Sequence, residues 1–274
     1  MTFYATIAAG DERPKIQPPG SYLYPASSFA LPRFKMRAPK LPPHCTDIAA
    51  DCGGFVATIK WGDYRYSPAE YVAWLDKFER LTWAATMDYC CEPAIAQDED
   101  AIVRRQERTT EMAHHFWSTY KAKPWAWVPT IQGWGLDDYA AHARQLAPLI
   151  AEMRAHYPAD SGWRIGIGTL CQRADAAMVR AVARTVAREL PGIPLHLWGV
   201  KLAALDGIEA LPETVVSVDS AAWNGRFGKG CQASQGSGMT QREYGYKVAL
   251  PYYQNRFARI QAKPKQTAFD WGIL

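Results

Sequence analysis

From Asp47 onward the chain alternates between two kinds of segment, and this alternation restricts its fold more than any other feature. Short apolar runs with the character of buried parallel strands lie at 47–51, 81–88, 125–131, 163–168, 194–200 and 214–219. Stretches with helical period lie between them at 68–80, 98–121, 136–156 and 173–189, with another at 240–261. The link 201–213 has room for one or two helical turns. The pattern predicts an α/β fold, a parallel sheet with helices outside it. An open doubly wound sheet and a closed barrel both satisfy it. The first strand–helix turn has no GxGxxG, which counts against a dinucleotide-binding sheet. The runs are too few for a full barrel, so the missing strands are expected in the N-terminal segment and after Asp219.

Residues 1–45 are rich in proline (Pro14, Pro18, Pro19, Pro25, Pro32, Pro39, Pro42 and Pro43) and read as an irregular segment that wraps the body. Residues 46–274 read as the barrel itself, one domain. With 48% hydrophobic and 21% charged residues the chain is not disordered, and its 274 residues can bury a core without disulfide or metal staples. The six cysteines form no CxxC pair, and no apolar run is long enough to span a membrane or act as a signal peptide. The expected setting is therefore the reducing cytoplasm. The net charge of +4 permits a nucleic-acid partner without requiring one. Basic residues cluster at Arg33, Lys35, Arg37 and Lys40, and again at Arg226, Lys229, Arg242, Lys247, Arg256, Arg259, Lys263 and Lys265. Both clusters are candidate phosphate contacts.

The polar residues sit at the ends of the predicted strands. The runs end in Asp51-Cys52-Gly53-Gly54-Phe55, Met87-Asp88, Gln132-Gly133, Gly168-Thr169-Leu170-Cys171, Trp198-Gly199-Val200 and Asp219-Ser220. In a parallel barrel these ends converge on the face that carries the active site. Converging carboxylates suit chemistry at a sugar carbon, where one attacks and another shuttles a proton. Gly53-Gly54 before Phe55 lets a flat ligand approach the backbone and stack on the ring. Gln132 can donate and accept, Asp88 can accept two donors, and the Gly168-Thr169 turn presents backbone N–H groups. A planar base with a carbonyl beside an N–H and an amino group, such as guanine, fits that set. Glu92 precedes Pro93 and reads as the start of the next loop, outside the set.

In this order the motifs resemble those of the queuine/archaeosine tRNA-guanine transglycosylases, over about residues 47–226. The resemblance implies a (β/α)8 barrel. It implies Asp51 as general acid/base and Asp219 as nucleophile. It further implies base binding by Phe55, Asp88, Gln132, Gly168, Thr169, Leu170 and Trp198. Asn224-Gly225-Arg226 resembles the loop that contacts substrate, and Asn224, Arg226 and Lys229 are the expected nucleic-acid contacts. The chain departs from that family in three ways. After position 171 it has only Cys231, and after His196 no histidine, so the family's Cys/His zinc module cannot be built. Cys52 stands for a serine, and Thr169 for a glycine. These departures resemble the deazapurine-in-DNA branch, known from bacterial genomic islands and phages. That branch implies exchange of guanine in DNA for a 7-deazaguanine such as preQ0, through a covalent aspartyl-glycosyl intermediate and with no metal or cofactor. The alternatives are a tRNA-guanine transglycosylase, a barrel glycoside hydrolase and a non-catalytic nucleic-acid-binding barrel. Monomer and dimer are equally compatible with the sequence.

Overall fold

The computed structural model describes residues 1–30, 36–206, 211–223 and 237–262. It forms one sheet in which every pairing is parallel. The strands are β1 (Thr2–Thr6), β2 (Gly20–Pro25), β3 (Cys45–Asp51), β4 (Trp83–Ala85), β5 (Ala126–Val128), β6 (Thr130–Ile131), β7 (Ile165–Ile167), β8 (Leu195–Leu197) and β9 (Val215–Ser220). Their order is β5-β4-β3-β2-β1-β9-β8-β7-β6. The two ends of this order are one stretch of chain broken only at Pro129. The Val128 carbonyl accepts from Thr86 N on the β4 side, and the Pro129 carbonyl accepts from Gly166 N on the β7 side. Proline has no N–H for a ladder, so the chain changes neighbours there and the sheet closes into a barrel.

The described part of residues 1–45 is not irregular throughout. It supplies β1, β2 and the short helix α1 (Ala26–Phe29), and β1 is the strand that joins β9 to the rest of the sheet. Proline density hid this, because Pro25 closes β2 while Pro18 and Pro19 stand just before it, where no ladder bond is lost. Among the described residues no strand follows Ser220.

The main outer helices lie close to their expected places: α3 (Pro68–Leu75), α4 (Glu99–Tyr120), α5 (Leu136–His156) and α6 (Ala176–Glu189), after the short helical turn α2 (Gly54–Val56). Ser67 and Glu70 form a capping box on α3, and Asp98 and Asp175 cap α4 and α6. The C-terminal helix Leu250–Ala262 packs on β1 through Phe257, whose ring lies 5.5 Å from that of Phe3. The run 81–88 is strand only at Trp83–Ala85. Beyond it the backbone bonds to side chains instead. Asp88 N donates to Tyr64 Oη, Tyr89 N to Thr109 Oγ1 and Cys91 N to Thr169 Oγ1.

The barrel interior is a packed and partly polar core. Trp83 Nε1 donates to Tyr4 Oη at 2.9 Å, Tyr4 donates to Asp47, and the Arg164 guanidinium lies over the Trp83 ring. Side chains alternate along a strand. Two residues beyond Tyr4, His196 and Ser217 therefore come Thr6, Trp198 and Asp219, at the carboxyl ends of the strands.

Candidate active site

A pocket enclosing about 520 Å³, open mouth included, lies at those carboxyl ends. Asp51, Phe55, Asp88, Gln132, Gly168, Thr169, Leu170, Trp198 and Asp219 all line it, drawn from six strand ends and the turns after them. Asn224, Arg226 and Lys229 lie outside the described residues, as do Arg33, Lys35, Lys263 and Lys265. Among the remaining basic residues, Arg37 is ion-paired to Glu12, Arg242 to Asp11 and Lys247 to Glu243. Arg256 and Arg259 are exposed.

Asp219 is held from three sides. Its Oδ2 accepts from Thr6 Oγ1 at 2.9 Å, and its Oδ1 accepts from Gly199 N at 2.6 Å. His196 Nε2 lies 3.3 Å from the same Oδ1. Gly199 adopts φ +65°, a left-handed turn that aims its N–H at the carboxylate. The tautomer of His196 follows from its other neighbour. Arg164 donates to Ser217 Oγ at 2.7 Å, which leaves the serine proton for His196 Nδ1 at 2.9 Å. Nε2 then carries the hydrogen and donates to Asp219. Burial lowers the His196 pKa, outweighing the opposing pull of Asp219, so the ring stays neutral. Neither Thr6 nor His196 was singled out in the sequence. Thr6 lay in the segment read as irregular, and the only sign of His196 was one histidine inside an apolar strand.

Asp51 ends β3, and its Oδ1 accepts from Gly53 N at 3.0 Å. Desolvation raises its pKa to about 7, the negative charges of Asp88 and Asp219 add to the rise, and the Gly53 N–H opposes it. Asp88 rises to about 6, mainly by burial; hydrogen bonds from Cys52 and Gln132 oppose the rise and the Glu92 charge adds to it. Burial also pushes the Cys52 thiol well up, so it stays protonated and donates to Asp88 Oδ1 at 3.2 Å.

Asp88, Gln132 and Thr169 form a relay across three strand ends. Gln132 Nε2 donates to Asp88 Oδ2 at 2.8 Å, and Thr169 Oγ1 donates to Gln132 Oε1 at 2.6 Å. The same threonine oxygen accepts from Cys91 N. These bonds account for Thr169, which has φ +52° and is the only non-glycine residue with positive φ among the described residues. That conformation costs a β-branched residue roughly 1–2 kcal/mol, which the hydroxyl's two buried hydrogen bonds offset. The glycines give the room. A Cβ at Gly54 would lie 2.0 Å from Asp88 Oδ1, one at Gly168 2.3 Å from Gln132 Nε2, and one at Gly166 2.1 Å from Trp198 Nε1.

Sequence reading also missed Glu92. It does begin the next loop, its carbonyl accepting from Ile95 N and Ala96 N, but its side chain turns inward and lines the pocket with only 3% of its surface exposed. The pocket thus holds Asp51, Asp88, Glu92 and Asp219, and among the described residues no lysine, arginine or histidine lines it. Such a lining disfavours phosphate and favours a centre that becomes positive.

A comparison with curated proteins found no match. A family model, deoxypurine in DNA protein A, matches residues 25–248, a span that runs from the end of β2 across the whole pocket into the C-terminal helical stretch. Since that match covers most of its length, the chain belongs to the deoxypurine in DNA protein A family, DpdA.

Proposed function

We propose that the protein is a DNA-guanine transglycosylase that exchanges guanine for a 7-deazaguanine through a covalent glycosyl-enzyme. The observation that carries this reading is the pairing of two unlike carboxyls in one base-sized pocket. Asp219 is oriented by three donors, while Asp51 titrates near neutrality. The family supports DNA as the polymer.

In the first step an oxygen of Asp219 attacks C1′, and the C1′–N9 bond breaks with its electron pair going to the base. Protonated Asp51 supplies the proton with which guanine leaves neutral. In the second step N9 of the incoming base attacks C1′ and the C1′–O bond breaks. The N9 proton passes to Asp51 and the Asp219 carboxylate is restored. Two inversions leave the sugar configuration unchanged. Phe55 and Trp198 stack on the base, Asp88 and Gln132 read its donor and carbonyl edges, and the Gly168–Leu170 backbone supplies further contacts. The base must leave the helical stack to enter, by flipping or from a single strand.

The test is release of labelled guanine from DNA, and from a matched labelled tRNA, on addition of unlabelled 7-deazaguanine base. Release from DNA alone is expected. Release from tRNA alone would transfer the enzyme to RNA, and release from neither would defeat the base-exchange reading.

Two variants probe the supporting residues. Gly168→Ala is expected to push Gln132 out of its bond to Asp88, weakening base binding by about tenfold or more while circular dichroism stays unchanged. His196→Ala removes one donor to Asp219 and is expected to lower kcat by about 10- to 100-fold. KM for DNA should hardly change, because His196 is buried beneath Asp219 and away from the mouth. An unchanged kcat would show that Thr6 and Gly199 suffice to orient the carboxylate.

A further inference from the structure

Arg164 is a buried cation at a level where a barrel core is ordinarily filled by branched apolar side chains. It stands just ahead of β7 and is 7% exposed. Among the described residues no carboxylate forms an ion pair with it. Its guanidinium lies 5.9 Å from the centre of the Tyr4 ring and 5.2 Å from that of Trp83. Its Nε donates to the Gly162 carbonyl and its Nη1 to Ser217 Oγ, both at 2.7 Å. An apolar side chain would fill this space without desolvating a charge, so packing alone does not account for an arginine.

An apolar residue could not dictate which way Ser217 bonds. A guanidinium only donates, so Ser217 Oγ accepts from it and turns its own proton to His196 Nδ1. The imidazole is wedged among Tyr4, Trp83 and Trp198, with ring centres 5.9, 5.0 and 4.4 Å away, so its protons rather than its orientation are what its neighbours set. Without the arginine, Ser217 is free to accept from Nδ1. The ring would then have an acceptor at each nitrogen, Ser217 on one side and Asp219 on the other, the setting that favours an imidazolium. Taking Asp219 as the nucleophile, we propose that Arg164 is a positioning residue: acting through Ser217 and by its own charge, it keeps His196 a neutral Nε2–H donor, so that Asp219 attacks as a hydrogen-bonded anion and not as half of an ion pair. A carboxylate against a full positive charge is a weaker base and a weaker nucleophile. The charged and titratable groups around the ring are Asp219 from β9, Arg164 from before β7, and Tyr4 from β1, which donates to Asp47 of β3. Burial and the Arg164 charge oppose protonation of the ring, Asp219 favours it, and burial keeps the Tyr4 hydroxyl un-ionised.

The experiment reads the ring nitrogens of His196 by NMR at neutral pH, in protein carrying nitrogen-15 histidine, with its signals assigned as those missing from His196→Gln. The unaltered protein is expected to show a neutral ring with its proton on Nε2. An imidazolium, or a proton on Nδ1, overturns the proposal without any variant. In Arg164→Met the ring is expected to be protonated, and kcat for guanine release to fall by about tenfold or more with KM for DNA within about twofold. Arg164→Lys, which keeps a cation that only donates, is expected to hold the ring neutral and to restore most of kcat. Arg164→Gln replaces the methionine variant if that one does not fold. In a His196→Ala background, loss of the arginine should lower kcat by less than about twofold more, because the ring through which it acts is gone. An equal loss in that background, or a ring that stays neutral without the arginine, overturns the proposal. If the unaltered protein releases no guanine from DNA, base exchange fails and the role of Arg164 falls with it. An imidazolium in protein that does release guanine overturns the role of Arg164 alone.

Discussion

Asp219→Asn is expected to reduce guanine release by about 10⁴-fold or more, the scale on which removal of a catalytic nucleophile is felt. Asparagine suits the test because it keeps the shape of the site. Its amide oxygen can still accept from Gly199 N and His196, and its NH2 can donate to Thr6, whose hydroxyl rotates to accept. The fold and base binding should therefore persist, and the loss should fall on the chemical step. Denaturing gel analysis gives a second readout: the unaltered protein stalled without an incoming base should carry covalently bound DNA, and the variant none. A variant that retains about a hundredth of the activity or more would be inconsistent with attack by Asp219, since an amide cannot form the intermediate.

Asp51→Asn is expected to separate activity from stability. Activity should fall by about 10²–10⁴-fold, the usual contribution of a positioned acid/base. Stability should move the other way at alkaline pH. Asp51 has its folded pKa raised to about 7 from 3.8. A group raised in this way contributes stability that is fully present below its unfolded pKa and is lost as pH rises through the folded one. Ionising Asp51 inside the pocket therefore weakens the unaltered protein progressively between about pH 4 and pH 7. Asparagine cannot ionise and keeps an oxygen for Gly53 N. Urea unfolding should show the variant more stable by about 2–4 kcal/mol at pH 8, with no advantage at pH 4. A constant difference across that range would mean that Asp51 titrates normally, and would remove it as the proton carrier. The same ionisation predicts that guanine release in the unaltered enzyme slows above about pH 7, as protonated Asp51 is depleted.

A stability gain on removing the acid would mark the pocket as a place where the fold tolerates strain for chemistry. Four acids with no basic residue among the described lining, a threonine in left-handed geometry and an unpartnered Glu92 oxygen all lie in that one region.

Much of this was legible in the chain. Alternating apolar runs and helical periods specify a parallel α/β fold because buried strands and amphipathic helices have incompatible periods. The placement of Asp51, Asp88, Gln132, Gly168 and Asp219 at run ends marked the pocket, because all parallel strands point their carboxyl ends one way. What the sequence left undetermined depended on contacts distant in the chain. The first two strands were hidden by prolines whose missing N–H groups matter only once neighbours are known. Barrel closure rests on Pro129, where one stretch of chain changes partners. Thr6 and His196 reach Asp219 across 213 and 23 residues, and no local pattern encodes such a meeting. Glu92 looked like a loop residue because its burial is made by Cys171 and the strand end before it, 79 positions away. Periodicity fixes which elements form and which way they face, whereas the protonation and partners of a buried acid arise only when those elements close around it.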